Sequence, residues 1–321
     1  MHPHFTILSM KIFPSLAFWM CTFFAVFAQE NHYTVVAEQG DGIFSLLRKQ
    51  GLDPAKHYKE FLELNAENIK DGSFLRVGVA YKVPVAEDSF KNMGTALVKN
   101  GEEEKSIFDS ELAHMSLKGD ALKDAVYYLV IENQADQSKG FVEDITKNLA
   151  AELMVNGARV YILGGSERDS LMSDTQGLTE IQRMGNYIEA INKKFLKNKG
   201  KYQRVLVIRA TDVNPKGTMD VAVYHYNKSE KGQRFAENIQ NVFRKHSVKN
   251  KSFKDVNLIF KDKNSLFLAR NIIPAISLIT MENASKKTAE AKIPVQSDKK
   301  LLANLLTSGI MNDYADLVIE E

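Results

Sequence analysis

Residues 125–163 read AVYYLVIENQADQSKGFVEDITKNLAAELMVNGARVYIL and decide the fold that we expect for this chain. Residues 125–131 form an almost wholly apolar run, which is typical of a strand buried on both faces of a sheet. Residues 141–155 place apolar side chains at helical spacing, and an Asn-Gly pair ends that helix. A second apolar strand follows at residues 159–163. This order predicts a parallel βαβ unit, in which ligands bind beyond the carboxyl ends of the strands.

The length and composition favour a globular protein. The chain has 321 residues, of which 44% are apolar, so it can form one large or two medium domains with real cores. Its 42 basic and 40 acidic residues nearly cancel, and the formal net charge is +2. A nucleic-acid partner is not expected, because such a partner usually selects a strongly basic surface.

The start of the chain predicts export. Lys11 precedes an apolar run that ends in Val26-Phe27-Ala28, a small-residue cleavage site. We therefore expect residues 1–28 to be a signal peptide, and either Met1 or Met10 to be the true start. An uncleaved membrane anchor is the alternative, although the apolar run is short for a span.

Cleavage at this site would leave a mature chain that begins at Gln29, has no membrane span and lies in the periplasm or cell envelope. The only cysteine, Cys21, falls inside the signal peptide. The mature protein is therefore expected to have no disulfide, no cysteine-bound metal and no cysteine nucleophile.

The region after the signal predicts a small module of two strands and two helices. Residues 33–36 read as a strand, and a Gly-Asp-Gly turn follows at residues 40–42. Apolar spacing then predicts a first helix, and Pro54 opens a second one at residues 55–65. A second strand closes the module at residues 81–84. The predicted order is strand, helix, helix, strand.

This module resembles the LysM peptidoglycan-binding modules over residues 33–84, and we place its bounds at 29–85. The resemblance is carried by Tyr33-Thr34-Val35, Gly40-Asp41, Leu64-Asn65 and Tyr81-Lys82-Val83-Pro84. It implies that peptidoglycan glycan strands bind in a groove between two loops. The groove residues that it implies are Asp41, Gly42, Ile43, Asn65 and Ile69. The alternative is that Ile43 and Ile69 are core residues and that Asp41 only caps a helix.

Residues 86–116 differ from what precedes and follows them. They hold the charged run Glu102-Glu103-Glu104-Lys105 and few large apolar clusters. We interpret them as a linker, with a second domain over residues 117–321.

Four segments of the second domain carry another resemblance. They are Tyr127-Tyr128-Leu129-Val130-Ile131-Glu132-Asn133, Val142-Glu143-Asp144-Ile145, Arg204-Val205-Leu206-Val207-Ile208-Arg209 and Ile273-Pro274-Ala275-Ile276-Ser277-Leu278-Ile279. They resemble the catalytic domain of the zinc-dependent N-acetylmuramoyl-L-alanine amidases, in the version found in Bacteroidetes. The resemblance implies an α/β domain with a mostly parallel central sheet.

The resemblance also implies that the catalytic site has degenerated. The positions of the two histidine ligands, the glutamate ligand and the catalytic glutamate fall on Asn133, Arg209, Val142 and Ile279. A catalytic zinc needs about three good donors and an open position, so we expect neither a cofactor nor catalytic residues. Arg209 would then be left to pair with a peptide-stem carboxylate, with a partner protein, or with the neighbouring Asp212.

The sequence thus predicts an exported peptidoglycan-binding protein whose second domain is a cell-wall binding or regulatory scaffold. A cell-wall or divisome protein is a further partner that this function allows. The alternative is an active N-acetylmuramoyl-L-alanine amidase that binds zinc through a rearranged site of Glu143, His225 and Glu282.

Overall fold

The structure is a computed structural model that describes residues 31–69, 74–98, 103–133, 138–165, 179–214, 217–248, 258–284 and 292–320. The expected signal peptide and its cleavage site lie outside the described residues. Within the described residues, every helix is too short or too polar to cross a lipid bilayer.

The N-terminal part is a βααβ module, as predicted. Strand β1 (His32–Val36) pairs antiparallel with β2 (Ala80–Pro84), and α1 (Ile43–Lys49) and α2 (Pro54–Leu64) lie between them in the chain. The module has an apolar core of its own, to which both helices and β2 contribute. The largest buried side chains of that core are Leu46, Leu47, Phe61 and Tyr81.

The rest of the chain is built on one sheet of eight strands, in the order β10-β8-β9-β7-β5-β6-β3-β4. Strands β3, β6, β5, β7 and β9 run parallel, whereas β4 and β8 run antiparallel to their neighbours. The bounds are β3 Gly94–Val98, β4 Glu103–Ser106, β5 Ala125–Asn133, β6 Arg159–Leu163, β7 Tyr202–Thr211, β8 Thr218–His225, β9 Ala275–Asn283 and β10 Ile293–Gln296.

Helices cover both faces of this sheet. Apart from the short α3 (Phe90–Met93), they are α4 (Lys139–Val155), α5 (Glu180–Lys197), α6 (Glu230–Lys245), α7 (Lys263–Asn271) and α8 (Lys299–Glu320). Side chains of α4, α6 and α8 pack on one face, which we call face A. Side chains of α5 and α7 pack on the other, face B.

The central strands are apolar on both sides because they are buried on both sides. In β7, Leu206, Ile208 and Ala210 lie in the core of face A, whereas Val205 and Val207 lie in the core of face B. The predicted βαβ unit is confirmed: β5 and β6 pair in parallel through α4, with Val126 opposite Arg159.

The linker predicted at residues 86–116 is wrong. This segment supplies β3 and β4 of the main sheet. The charged run belongs to β4, an edge strand, and such strands carry charges that block further pairing. The same segment also joins the βααβ module to the sheet, since the Phe90 amide donates to the Gly51 carbonyl at 2.8 Å.

Candidate functional site

The expected zinc site lies where the parallel strands end. Asn133 closes β5 and is the register partner of Ala210 in β7. Val142 is fully buried in the first turns of α4, and Ile279 is fully buried in β9. The sheet thus brings three of the four predicted positions, on β5, β7 and β9, to neighbouring strands.

Arg209 does not share the environment of the other predicted positions. Val142 and Ile279 lie in the core of face A. Successive side chains of a strand point to opposite faces, and the residues of β7 that belong to face A are Leu206, Ile208 and Ala210. Arg209 contacts α7 on face B instead. The prediction that Arg209 stands with Val142 and Ile279 is therefore wrong.

The side chains present on face A do not fit a zinc ion. Val142, Ala210 and Ile279 are alkyl groups, and zinc in proteins is bound by nitrogen, sulfur or carboxylate oxygen. The described part of the chain also contains no group of three or more His, Cys, Asp or Glu side chains that could hold a metal ion. We derive no chemistry through zinc from these residues.

Arg209 is held by a buried carboxylate that the sequence analysis did not single out. Its Nη2 atom lies 2.8 Å from Oε2 of Glu132, its register partner on β5. Asp262 Oδ1 and Ser265 Oγ, at the start of α7, lie 3.6 and 3.5 Å from the same nitrogen. The expected pairing with Asp212 is therefore replaced by this cluster. Neighbouring strands place Glu132 opposite Arg209, although 77 residues separate them.

Glu132 is the most deeply buried acid of the cluster, with only 5% of its surface exposed. Burial raises the pKa of Glu132, Arg209 opposes this rise, and the carboxylates of Asp262 and Glu180 add to it, so that the pKa lies above its ordinary value. Oε1 of Glu132 and Nε of Arg209 have no hydrogen-bond partner among the described residues. The pair is thus incompletely satisfied.

The raised pKa of Glu132 predicts a pH-dependent stability. An acid whose pKa is raised by folding stabilises the protein at pH values below the pKa of the unfolded state. This contribution is lost as the pH rises through the pKa of the folded state. We therefore expect the wild type to lose stability relative to Glu132→Gln as the pH rises above 4.5, the ordinary value of the group. Urea denaturation at several pH values measures this difference. Parallel curves for the two proteins would contradict it.

The residues of the rearranged metal site do not meet. Glu143 lies beside Gly165, where β6 ends. Glu282 is near the end of β9, opposite Asp220, and pairs with Lys292. His225 lies five residues further along β8 than Asp220, which corresponds to roughly 17 Å. The alternative prediction, a metal site that needs His225 and Glu282 in contact, is therefore wrong.

The glycan-binding residues predicted in the βααβ module fall into buried and accessible positions. Ile43 and Ile69 belong to the module core, with 3% and 8% exposure. Gly42 is partly exposed at the start of α1, where its amide donates to Ser45 Oγ at 2.8 Å. The alternative interpretation of Ile43 and Ile69 as core residues is confirmed.

Asp41 ties the first loop together. Its carboxylate accepts the Glu38 amide at 2.9 Å and lies 2.8 Å from Lys49 Nζ. Burial alone would raise the pKa of Asp41, but the hydrogen bonds from Lys49 and Glu38 outweigh it and hold the pKa below its ordinary value. The cap residue of α1 is Gly42, and the backbone amide that the Asp41 carboxylate accepts is that of Glu38, which lies outside the helix, so the helix-cap alternative is also wrong.

Asn65 has a structural role in this module. Its side chain, 2% exposed, donates to the carbonyls of Phe61 and Lys82 at 2.8 and 2.7 Å and accepts the Lys82 amide at 2.8 Å. These bonds end α2 and attach it to β2. Both polar atoms of the side-chain amide are therefore occupied by hydrogen bonds within the protein.

Replacing Asn65 by alanine should destabilise the module. Loss of the amide leaves buried backbone groups unpaired, which costs about 1–3 kcal/mol. The matched control is Asn68→Ala, because Asn68 is exposed. Urea denaturation measures both. An Asn65→Ala protein as stable as the control would contradict the structural role.

Two exposed aromatic rings of the βααβ module, Phe44 and Phe74, were not among the predicted binding residues. Phe44, 52% exposed, stands 5.3 Å from the ring of Tyr58, and Phe74 is 84% exposed. Helical spacing already indicates Phe44, because Ile43, Leu46 and Leu47 take the buried face of α1. Exposed apolar groups of this size mark candidate interaction surfaces.

No protein-family model and no curated protein matches this chain. Solved structures of similar fold include the CwlD amidase from Clostridioides difficile in complex with the GerS lipoprotein, with 13% identity, 60% of this chain and 98% of that chain covered, and a TM-score of 0.40.

The catalytic domain of CwlV, an N-acetylmuramoyl-L-alanine amidase from Bacillus (Paenibacillus) polymyxa var. colistinus, has 11% identity, coverage of 61% and 99%, and a TM-score of 0.34. A metallo-carboxypeptidase from Burkholderia cenocepacia has 12% identity, coverage of 62% and 58%, and a TM-score of 0.32. Likeness at this level carries no conclusion about activity.

Proposed function

We propose that this protein is an exported peptidoglycan-binding protein that does not cleave its ligand. Its βααβ module acts as a LysM module, and its α/β domain is an amidase-like scaffold for cell-wall binding or regulation. The observation that carries the proposal is the alkyl lining of face A at the ends of the parallel strands, namely Val142, Ala210 and Ile279. These side chains cannot bind a metal or exchange a proton.

The polar cluster on face B also supports a non-catalytic role. Arg209 is already paired with Glu132 and lies beside Asp262, so its charge is compensated within the protein. An arginine that recognised a stem-peptide carboxylate would need accessible donors facing the ligand, whereas the unpartnered Nε atom of Arg209 is buried. Glycan recognition is therefore assigned to the βααβ module, where Gly42, Phe44 and Phe74 are accessible.

Sedimentation with insoluble peptidoglycan tests this proposal. The chain that begins at Gln29 should sediment with peptidoglycan, and a chain that lacks residues 29–85 should stay in the supernatant. Because the module contacts the sheet domain through Gly51 and Phe90, circular dichroism must show that the shortened chain is folded. Full binding by a folded shortened chain would contradict the proposal.

The proposed location is the periplasm or cell envelope, with residues 1–28 removed. N-terminal sequencing of the protein from cell envelopes should begin at Gln29. A chain that retains the apolar run would favour the membrane-anchor alternative.

A further inference from the structure

A cleft lies at the end of the sheet opposite the ends of β5 and β7. It has a volume of about 560 Å³ and is bordered by α3, β3, β4, the start of β6 and the end of α5. Its buried lining includes Thr95, Tyr161 and Asn198, with 6%, 2% and 7% exposure. Asn198 Nδ2 and the Tyr161 hydroxyl lie 3.4 Å apart, so polar groups line this part of the cleft.

Basic side chains predominate around this cleft. It is lined by five of them, Lys91, Lys105, Arg159, Lys197 and Lys201, and by two acids, Glu87 and Glu104. The chain as a whole carries a net charge of only +2. The positive charge is thus concentrated locally, and a concave surface strengthens the resulting potential.

Little of this positive charge is neutralised by the protein. Glu104 pairs with the buried Lys194, which does not line the cleft. Lys201 lies 3.9 Å from Asp124, at the limit of an ion pair. Within the described ranges, Lys105 and Lys197 form no ion pair, and both are exposed.

The two remaining cations are held in place by neutral groups. Arg159 donates to the carbonyl oxygens of Asn92 and Glu87 at 3.1 and 3.5 Å. Lys91 Nζ donates to the amide oxygen of Gln50 at 3.2 Å. Such bonds orient the side chains but leave their charge uncompensated, which is the arrangement needed to receive an anion.

We propose that this cleft is a binding site for a polyanionic ligand, one that carries at least two carboxylate or phosphate groups. A single anion would leave most of the basic side chains unpaired, whereas two or more anionic groups compensate them. The cleft volume falls in the range of about 300–1,000 Å³ that is usual for small-molecule sites. The inference is independent of the proposed glycan-binding function, because it concerns other residues.

Isothermal titration calorimetry with the chain from Gln29 tests the site, with citrate as the carboxylate probe and tripolyphosphate as the phosphate probe. We expect saturable binding of at least one probe, weakened by added salt because the contacts are electrostatic. The test variant is Lys105→Gln with Lys197→Gln. It should weaken binding about tenfold, since two exposed charge contacts are lost.

The matched control is Lys193→Gln with Lys231→Gln, which removes the same charge from exposed positions outside the cleft. The control should bind within about twofold of the wild type. Arg159→Gln provides a second test inside the cleft and should also weaken binding. The probe that binds more tightly identifies the ligand as a carboxylate or a phosphate. Absence of saturable binding for both probes, or equal losses in the test and control variants, would overturn the proposal.

Discussion

Replacing Asp313 by alanine is expected to lower the free energy of unfolding by about 3–5 kcal/mol. Asp313 lies in α8 and is fully buried. Its carboxylate accepts hydrogen bonds from Nε of Arg204 at 3.1 Å, from Nε of Arg234 at 2.9 Å and from the hydroxyl of Tyr202. This one side chain therefore attaches α8 to β7 and to α6.

The expected loss is large because Arg204 is itself buried. Arg204 is 4% exposed, its guanidinium stacks 4.2 Å from the ring centre of Tyr202, and its Nη2 atom already has no hydrogen-bond partner within the described structure. An arginine cannot lose its proton to escape burial. Without Asp313, its charge would remain in the core unpaired, which costs far more than a lost surface contact.

The matched control is Asp316→Ala in the same helix. Asp316 is exposed and accepts a hydrogen bond from Asn238 at 3.0 Å, so its loss should change the stability by less than about 0.5 kcal/mol. Urea denaturation followed by circular dichroism measures both variants. A single hydrogen bond contributes about 1 kcal/mol to stability. An Asp313→Ala protein whose free energy of unfolding is within about 1 kcal/mol of the wild type would therefore show that the buried network does not hold α8.

The second large effect concerns Arg209. Arg209→Ala should lower the free energy of unfolding by about 3 kcal/mol, the lower end of the range for breaking a buried pair. The lower end applies because Glu132, once unpaired, can take up a proton. For the same reason the loss should increase with pH. Thermal and urea denaturation at acidic and neutral pH measure it.

A double-mutant cycle separates the pair from its surroundings. Glu132→Leu combined with Arg209→Met removes both charges and should be within about 1 kcal/mol of the wild type, because replacement of a buried pair by apolar groups is often neutral. The Arg209→Ala protein, if folded, should still sediment with peptidoglycan. Additive stability losses would show that Glu132 and Arg209 are not coupled. Loss of peptidoglycan binding by the folded Arg209→Ala protein would show that Arg209 has a role in ligand recognition.

The sequence predicted the regular part of the fold well because periodicity reports burial directly. The βαβ unit at residues 125–163 and the βααβ order of the first module are both confirmed. Strand β4 is not predicted from the sequence because it is a charged edge strand, Glu103–Ser106. It contains no apolar residues, so it has no apolar periodicity.

The candidate site was less predictable. A shift of one residue along a strand moves a side chain to the other face. The motif therefore pointed to Arg209, whereas Ala210 belongs to the core of Val142 and Ile279. The partner of Arg209 depends on which strands are neighbours, and this is decided by the whole sheet. The motif implies a ligand-binding role for Asn65 because it does not show that the side-chain amide bonds to Phe61 and Lys82.

The central claim is that the α/β domain has no catalytic metal site. The most direct measurement is the metal content of the purified chain after equilibration with excess zinc and dialysis, together with peptide release from a muropeptide substrate. The account predicts far less than one equivalent of zinc and no peptide release, because Val142, Ala210 and Ile279 provide no donor. One equivalent of bound zinc, with peptide release that stops on chelation, would contradict it.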